Sequence, residues 1–118
     1  MPVLSPITFD KYGQLLNTNA DSVAAAVAIA LSRMCEVELI YCLDKPGVLM
    51  DVNDEGSVIP VLCEEKYRYY LGQELIYSGM IPKLENAFKT IGAGVKRVRL
   101  TNPENLEKGT VVRMKDEK

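Results

Sequence analysis

Hydrophobic and polar positions along the first third of this chain change from a strand-like to a helix-like pattern. Residues 2–8 form an extended apolar stretch with two prolines, which predicts an edge strand or the end of one. A turn at residues 11–14 follows. Residues 22–34 are rich in alanine and apolar on nearly every side, the pattern of a buried helix whose first turn Asn19 or Asp21 would cap.

The remainder of the chain alternates strand and helix patterns. Residues 37–43 are a short continuous apolar run with β-branched and aromatic members, typical of a central parallel strand covered on both faces. Helical spacing of apolar residues predicts helices over 64–76 and 81–91, and strands follow at 95–100 and 110–114. This alternation predicts an α/β fold, a three-layer αβα sandwich with a mainly parallel sheet.

Composition fits one ordinary globular domain over residues 1–118, with a frayed tail at 115–118. Of the 118 residues, 47% are hydrophobic and 25% are charged, and the net charge is −2. This weak negative charge gives no general attraction to nucleic acid or anionic lipid. The longest apolar run, 23–31, is far shorter than the roughly 20 residues that span a bilayer. We therefore expect neither nucleic acid nor membrane as a partner.

The chain has no histidine, which excludes a Ser-His-Asp or Cys-His pair and a histidine-containing zinc site within it. Its three cysteines, Cys35, Cys42 and Cys63, are odd in number, lie in apolar surroundings and lack CxxC spacing. A reducing cytoplasm explains them more simply than a disulfide scaffold or a thiolate metal site.

Two familiar kinds of ligand-binding motif are absent or incomplete in this sequence. No GxGxxG or GxxxxGK[ST] occurs, so phosphate binding would need other means. Residues 51–56, DVNDEG, resemble the first half of a calcium-binding EF-hand loop, but its twelfth position is Leu62 where a bidentate Glu is needed. We predict no metal site.

Three polar residues, Asn17, Asn19 and Asp21, surround a predicted strand-to-helix junction. Capping would explain one of them, since Asn and Asp are favoured N-cap residues. The surplus favours a ligand site, because α/β proteins bind ligands at the carboxyl edge of the sheet.

A second candidate lies at residues 78–83, SGMIPK. Pro82 suits the first turn of a helix, whereas Lys83 there opposes the helix dipole unless an anion lies nearby. Gly79 would let a ligand approach the backbone, so the segment suggests a phosphate site. A solvated lysine beside Glu85 is the alternative.

Taken in order, the segments GQLLNTNAD, DKPGVLMD, SGMIPKLENAF, GAGVKRV and GTVV resemble the amino acid kinase family over residues 2–112. The resemblance implies the C-terminal, nucleotide-binding half of such a kinase. The other half carries a Lys-containing glycine-rich segment that cradles the transferred phosphoryl group. We therefore expect this chain to be inactive alone.

The resemblance also implies roles for individual residues. It assigns Asn17 to contact with an acylated glutamate, Asp21 to organising the catalytic lysines, and Lys83 to stabilising the transition state. It assigns nucleotide binding to two stretches: Asp44, Lys45, Pro46, Gly47, Val48 and Leu49, and then Leu75, Ile76 and Tyr77.

The implied activity is ATP-dependent phosphorylation of the γ-carboxylate of N-acetyl-L-glutamate, or of another N-acylglutamate, as a step toward arginine. ATP with Mg²⁺ is the implied co-substrate and a homo-oligomer the implied assembly. Two alternatives stay open: a nucleotide-binding or regulatory module without catalysis, and a sister kinase acting on carbamate or aspartate.

Overall fold

A computed structural model describes residues 3–17, 19–51 and 53–114, with Asn17 described by its backbone alone. The side chain of Asn17 and the predicted frayed tail, 115–118, lie outside the described residues. The strands are β1 Ile7–Phe9, β2 Leu15–Asn17, β3 Glu38–Cys42, β4 Val61–Cys63, β5 Arg97–Thr101 and β6 Thr110–Arg113. The helices are α1 Ala20–Leu31, α2 Glu64–Gly72 and α3 Ile81–Gly92, with a 3-10 turn, Ser78–Met80, leading into α3.

Four strands form the principal sheet in the order β3-β5-β6-β4. β3 is parallel to β5, with Glu38 opposite Arg97 and Cys42 opposite Thr101, and β4 is parallel to β6. Only the central pair, β5 and β6, is antiparallel. The predicted α/β class with a mainly parallel sheet is confirmed.

The core lies between this sheet and the helices. Strand residues that point toward the helices, such as Val98, Leu100 and Val112, are fully buried. α1 contacts α3 and β3, α3 contacts β5 and β6, and Tyr67 of α2 packs against Phe88 of α3 with ring centroids 5.2 Å apart. The described residues thus supply the sheet and one helical layer of the predicted sandwich.

The opposite face of the sheet carries charged side chains. Glu38 on β3 pairs with Arg97 and Arg99 on β5, with carboxylate oxygens 3.4 and 3.0 Å from the two Nε atoms. None of the helices in the described part of the chain has the length and hydrophobicity needed to cross a bilayer.

The prediction that residues 37–43 form the central strand is wrong. β3 is an edge strand of the four-stranded sheet, and its residues Glu38, Ile40 and Cys42 are exposed. Within β3, Leu39 and Tyr41 face the core. Tyr41 is buried, and Leu39 packs against the buried core residues. An apolar run indicates that a strand has a buried face, but it does not indicate how many neighbouring strands pair with that strand.

In place of the edge strand predicted at residues 2–8, the structure has the short strand β1 over Ile7–Phe9. Ile7 to Phe9 pair antiparallel with β2, and this hairpin is separate from the four-stranded sheet. The turn between the strands is closed by Asp10, whose carboxylate accepts hydrogen bonds from the backbone N–H groups of Tyr12 and Gln14. Gly13 adopts a φ of +81°, which favours glycine.

α2 ends at Gly72 rather than at residue 76. Glu74 adopts the left-handed conformation, with φ of 58°, and this stops the helix. Residues 75–77 therefore form a link between α2 and the 3-10 turn instead of a last helical turn.

Candidate functional site

At the start of α1, one polar side chain caps the helix and a second does not take part in capping. Asn19 is the N-cap, and its side-chain oxygen accepts from the backbone N–H groups of Asp21 and Ser22 at 2.8 and 3.4 Å. The carboxylate of Asp21 is not used as a cap. The capping interpretation therefore holds for Asn19, and Asp21 is left for another role.

Asp21 and Lys83 form an ion pair between the first turns of α1 and α3. Lys83 Nζ lies 2.5 Å from Asp21 Oδ2, and about a third of each side chain is exposed to solvent. The anion that the position of Lys83 requires is thus present within the chain. The alternative interpretation placed Glu85 beside a solvated Lys83. In the structure, Glu85 accepts a hydrogen bond at 3.0 Å from the hydroxyl of Tyr67.

Two side chains that the sequence analysis missed complete this cluster. Tyr41 on β3 donates its hydroxyl proton to the backbone oxygen of Asp21 at 3.2 Å and accepts from the Asn86 amide at 3.0 Å. The same amide lies 3.5 Å from the Asp21 oxygen, and Lys83 Nζ lies 5.5 Å from the centre of the Tyr41 ring. One available signal was the spacing of Lys83 and Asn86, since residues three apart share a helix face.

Burial raises the pKa of the Tyr41 hydroxyl, and the negative charge of Asp21 raises it further. The hydrogen bond from Asn86 acts in the opposite direction. Tyr41 is therefore a neutral hydrogen-bonding group at physiological pH.

A pocket of about 290 Å³ lies at the carboxyl end of β3 and brings together the two stretches predicted to bind nucleotide. Its lining residues are Asp44, Lys45, Gly47, Val48, Leu49, Tyr77 and Met80. A wider depression of about 430 Å³ adjoins it, lined by Leu49, Met50, Asp51, Glu74, Leu75, Ile76 and Tyr77. Of the nine residues predicted to bind nucleotide, Pro46 alone is absent from both linings.

The pocket loop is anchored from β6 by Thr110. The buried Thr110 hydroxyl accepts from Val48 N at 2.9 Å and donates to Ile59 O at 2.6 Å. A Cβ on Gly47 would lie 2.9 Å from Val58 Cγ1, so only glycine fits there without displacement of its neighbours. Gly109, just before Thr110, has a φ of +95°. The motifs around these two glycines therefore form one packed unit.

The pocket and the ion pair are neighbours along the chain. Met80 lines the pocket and is also the N-cap of α3, three residues before Lys83. A Cβ at Gly79 would lie 2.8 Å from the ring of Tyr77, so glycine here lets that aromatic ring lie against the backbone at the helix entrance. A ligand in the pocket would therefore meet the start of α3.

Other polar groups considered in the sequence have local roles. Asp51 and Asp54 accept hydrogen bonds from the backbone N–H groups of Asn53 and Gly56, which closes the turn at residues 51–56. Within 3–17, 19–51 and 53–114, no three His, Cys, Asp or Glu side chains are grouped as metal ligands. All three cysteines are free thiols, with Cys63 buried and the other two exposed.

Helices that begin at the carboxyl edge of a mainly parallel sheet, beside a loop-lined pocket, place this chain among the α/β proteins, in which ligands commonly bind at that edge. The amino acid kinase family model matches residues 1–102, and the chain belongs to that family. The predicted resemblance is confirmed.

Two curated relatives are acetylglutamate kinases. The enzyme of Parabacteroides distasonis is 47% identical over 114 residues, which cover 97% of this chain and 45% of the relative. The enzyme of Phocaeicola vulgatus is 47% identical over 110 residues, covering 93% of this chain and 43% of the relative. The chain thus spans less than half the length of these relatives.

Solved structures share the fold. The crystal structure of smu.665 from Streptococcus mutans superposes with a TM-score of 0.77 at 35% identity, covering 97% of this chain and 43% of that one. N-acetylglutamate synthase from Neisseria gonorrhoeae, complexed with coenzyme A and L-arginine, gives 0.75 at 19% identity, covering 93% and 27%. The second likeness concerns the fold alone.

Proposed function

We propose that this chain is the nucleotide-binding part of an ATP-dependent kinase that phosphorylates the γ-carboxylate of N-acetyl-L-glutamate. The observation that carries the proposal is the Asp21–Lys83 pair at the start of α3, next to the pocket formed by residues 44–49 and Tyr77. The likeness to acetylglutamate kinases over 97% of the chain supports the choice of acceptor. We place the reaction in the cytoplasm and expect a homo-oligomeric enzyme.

The acceptor suits a chain without histidine. A γ-carboxylate has an ordinary pKa of about 4.3 and is ionised at neutral pH, so no general base is needed for its attack on a phosphoryl group. Catalysis then consists of positioning the reactants and neutralising the charge that spreads over the transferring group.

Lys83 is the cation proposed for that charge. Its side chain is about one third exposed and lies in the first turn of α3, where backbone N–H groups also favour an anion. In the absence of substrate its partner is Asp21. We propose that Asp21 keeps Lys83 oriented toward the pocket, and that the phosphoryl group supplies the further negative charge.

Residues 44–49 and 75–77 would hold the nucleotide, and Asn17 would contact the acylated glutamate. Mg²⁺ would arrive with ATP as part of the co-substrate. Such a metal is coordinated chiefly by phosphate oxygens and water, with one or two carboxylates. Asp44 is a carboxylate in the pocket lining, and we assign it to the nucleotide site without a metal role.

The proposal is tested with a chimaeric enzyme. This chain replaces the matching 114-residue stretch of the Parabacteroides distasonis acetylglutamate kinase, and acyl phosphate is trapped as the hydroxamate. We expect ATP-dependent product with N-acetyl-L-glutamate. Product with aspartate or carbamate alone would instead identify a sister kinase.

The chain alone separates catalysis from binding. Isothermal titration should detect weak binding of Mg·ATP, while the hydroxamate assay detects no product. A folded chimaera that binds ATP but transfers no phosphoryl group to any of these acceptors would favour the regulatory module. Turnover by the chain alone at ordinary kinase rates would refute its assignment to one half of the catalytic unit.

A further inference from the structure

The Tyr41–Asn86 hydrogen bond joins strand β3 to helix α3. Of the residues predicted for the site, Lys83 on α3 is the one that these two elements contribute. Tyr41 lies on β3 and Asn86 on α3, 45 positions apart in the sequence. Both direct a hydrogen-bond donor at the same acceptor, the backbone oxygen of Asp21 in the first turn of α1, at 3.2 and 3.5 Å. A strand and two helices therefore meet at one carbonyl group.

We infer that Tyr41 and Asn86 are positioning residues that fix the Asp21 carboxylate against Lys83. This inference rests on the proposed function and deepens it. The hydroxyl and the amide hold the backbone of Asp21, while its side chain faces Lys83 Nζ. Because Lys83 and Asn86 are three residues apart on α3, the backbone anchor and the ion pair share one face of that helix.

The aromatic ring of Tyr41 adds a second restraint. Lys83 Nζ lies 5.5 Å from the ring centre, within the range of a cation–π interaction. Tyr41 therefore contacts both partners of the ion pair, Asp21 through its hydroxyl group and Lys83 through its ring. A displacement of about 1 Å in a catalytic group is enough to lower a rate substantially, so such restraints matter for phosphoryl transfer.

A purely structural role is the competing explanation, since a buried tyrosine hydroxyl usually finds a partner. The matched control is Tyr67, another buried tyrosine whose hydroxyl donates to α3, at Glu85 Oε1, 3.0 Å away. Tyr67→Phe removes a comparable hydrogen bond to the same helix but does not touch Asp21 or Lys83. Any effect confined to Tyr41 and Asn86 is then specific to the ion pair.

The first test uses the 118-residue chain and requires no activity. ¹⁵N NMR of the lysine ammonium groups detects those held in a hydrogen bond, and the Lys83 signal is identified by its loss in Lys83→Met. Tyr41→Phe and Asn86→Ala should each weaken or abolish this signal, while Tyr67→Phe retains it. Circular dichroism verifies that each variant is folded. Retention of the signal in both folded variants overturns the inference.

The second test uses the chimaeric kinase. Tyr41→Phe and Asn86→Ala should each lower kcat about tenfold and leave the KM for ATP within about twofold, because a misplaced Lys83 affects the transition state more than nucleotide binding. Tyr67→Phe should keep the parental kcat. Equal kcat in all three variants contradicts the positioning role. An inactive parental chimaera would count against the proposed function, whereas the NMR result would still decide the inference.

Discussion

At the scale of single residues, the site depends on charges placed in the first turns of two helices. Asp21 in the first turn of α1 is favoured by the helix dipole, whereas Lys83 in the first turn of α3 opposes it. The ion pair with Asp21 offsets the unfavourable interaction of Lys83 with the helix dipole. Because each side chain is about one third exposed, the pair contributes little to folding stability, and the role proposed for it is to orient Lys83.

Replacement of Lys83 by alanine should lower kcat of the chimaeric kinase about 10²–10³-fold, as expected for loss of a preorganised cation at the transferring group. The KM for ATP should change far less, since the charge is matched to the transition state. Steady-state kinetics measure both. Lys89→Ala, on the exposed side of the same helix, is the control. Comparable changes in kcat and KM would reduce Lys83 to a nucleotide contact.

Asp21→Asn and Asn19→Ala should separate catalysis from capping. Asn19→Ala removes the N-cap and should destabilise the chain by about 1 kcal/mol in thermal unfolding. Asp21→Asn keeps the shape but loses the charge that orients Lys83, so kcat should fall at least about tenfold with little change in stability. Near-normal activity of Asp21→Asn would leave this residue without a catalytic role.

Tyr67 should make the chain less stable at high pH. Burial and the hydrogen bond to Glu85 raise the pKa of its hydroxyl from 10.0 to about 12. Above pH 10 the unfolded chain loses this proton first, so the stability contributed by the neutral hydroxyl decreases as pH rises toward 12.

Denaturant titrations at pH 9 and pH 11.5 measure this effect as the difference between the parent and Tyr67→Phe. The variant should lose less stability over the interval, because it has no proton to release at this position. Tyr69→Phe is the control, since Tyr69 is 64% exposed. Parallel pH profiles for the parent and Tyr67→Phe would contradict the raised pKa.

At the scale of elements, the pocket loop depends on strand β6 rather than on its own sequence. Thr110 bridges Val48 and Ile59, which lie on either side of the turn at residues 51–56. The bridge Leu49–Val58 narrows the base of that turn. The shape of this pocket thus depends on a residue 62 positions away from Val48 in the sequence.

Thr110→Val should destabilise the chain by about 1–3 kcal/mol, because it leaves a buried N–H and a buried carbonyl without a partner. It should also raise the KM for ATP in the chimaeric kinase, since Val48 and Leu49 line the pocket. Thr110→Ser retains the hydroxyl and should restore most of the ATP affinity. Failure of serine to do better than valine would show that packing, not hydrogen bonding, matters at this position.

At the scale of the whole molecule, the chain leaves much apolar surface uncovered. The hairpin exposes Phe9 and Leu15, which are opposite each other and 73% and 72% exposed. A depression of about 380 Å³ between the segment before β1, helix α1 and strand β3 is lined mostly by apolar side chains. Apolar surface of this kind favours association.

We therefore expect the isolated chain to self-associate in sedimentation velocity experiments, increasingly with concentration. The double variant Phe9→Ser, Leu15→Ser should shift the distribution toward monomer. Met34→Ser, which changes a residue 79% exposed in the turn that follows α1, should not. A monomer at millimolar concentration would contradict this expectation.

The local sequence determined the features that depend on neighbouring residues. Its apolar periodicity and its capping and proline signals located the helices now seen as α1 and α3, and the ordered motifs identified the family. The resemblance carried by those motifs also named two stretches, 44–49 and 75–77, although their meeting at one pocket is a result of the tertiary structure. The helices depend on interactions between residues that are close in the sequence. The family was identified from the order of the motifs along the chain, which can be read without a structure.

Only the tertiary structure decided which strands are neighbours and which side chains complete the site. The pattern of residues 37–43 could not distinguish an edge strand from a central one, because both have a buried apolar face. Tyr41 and Asn86 stayed undetected because their meeting at Asp21 depends on how β3, α1 and α3 pack. Such contacts join residues 20 to 65 positions apart, a separation at which local periodicity carries no information about distance in space.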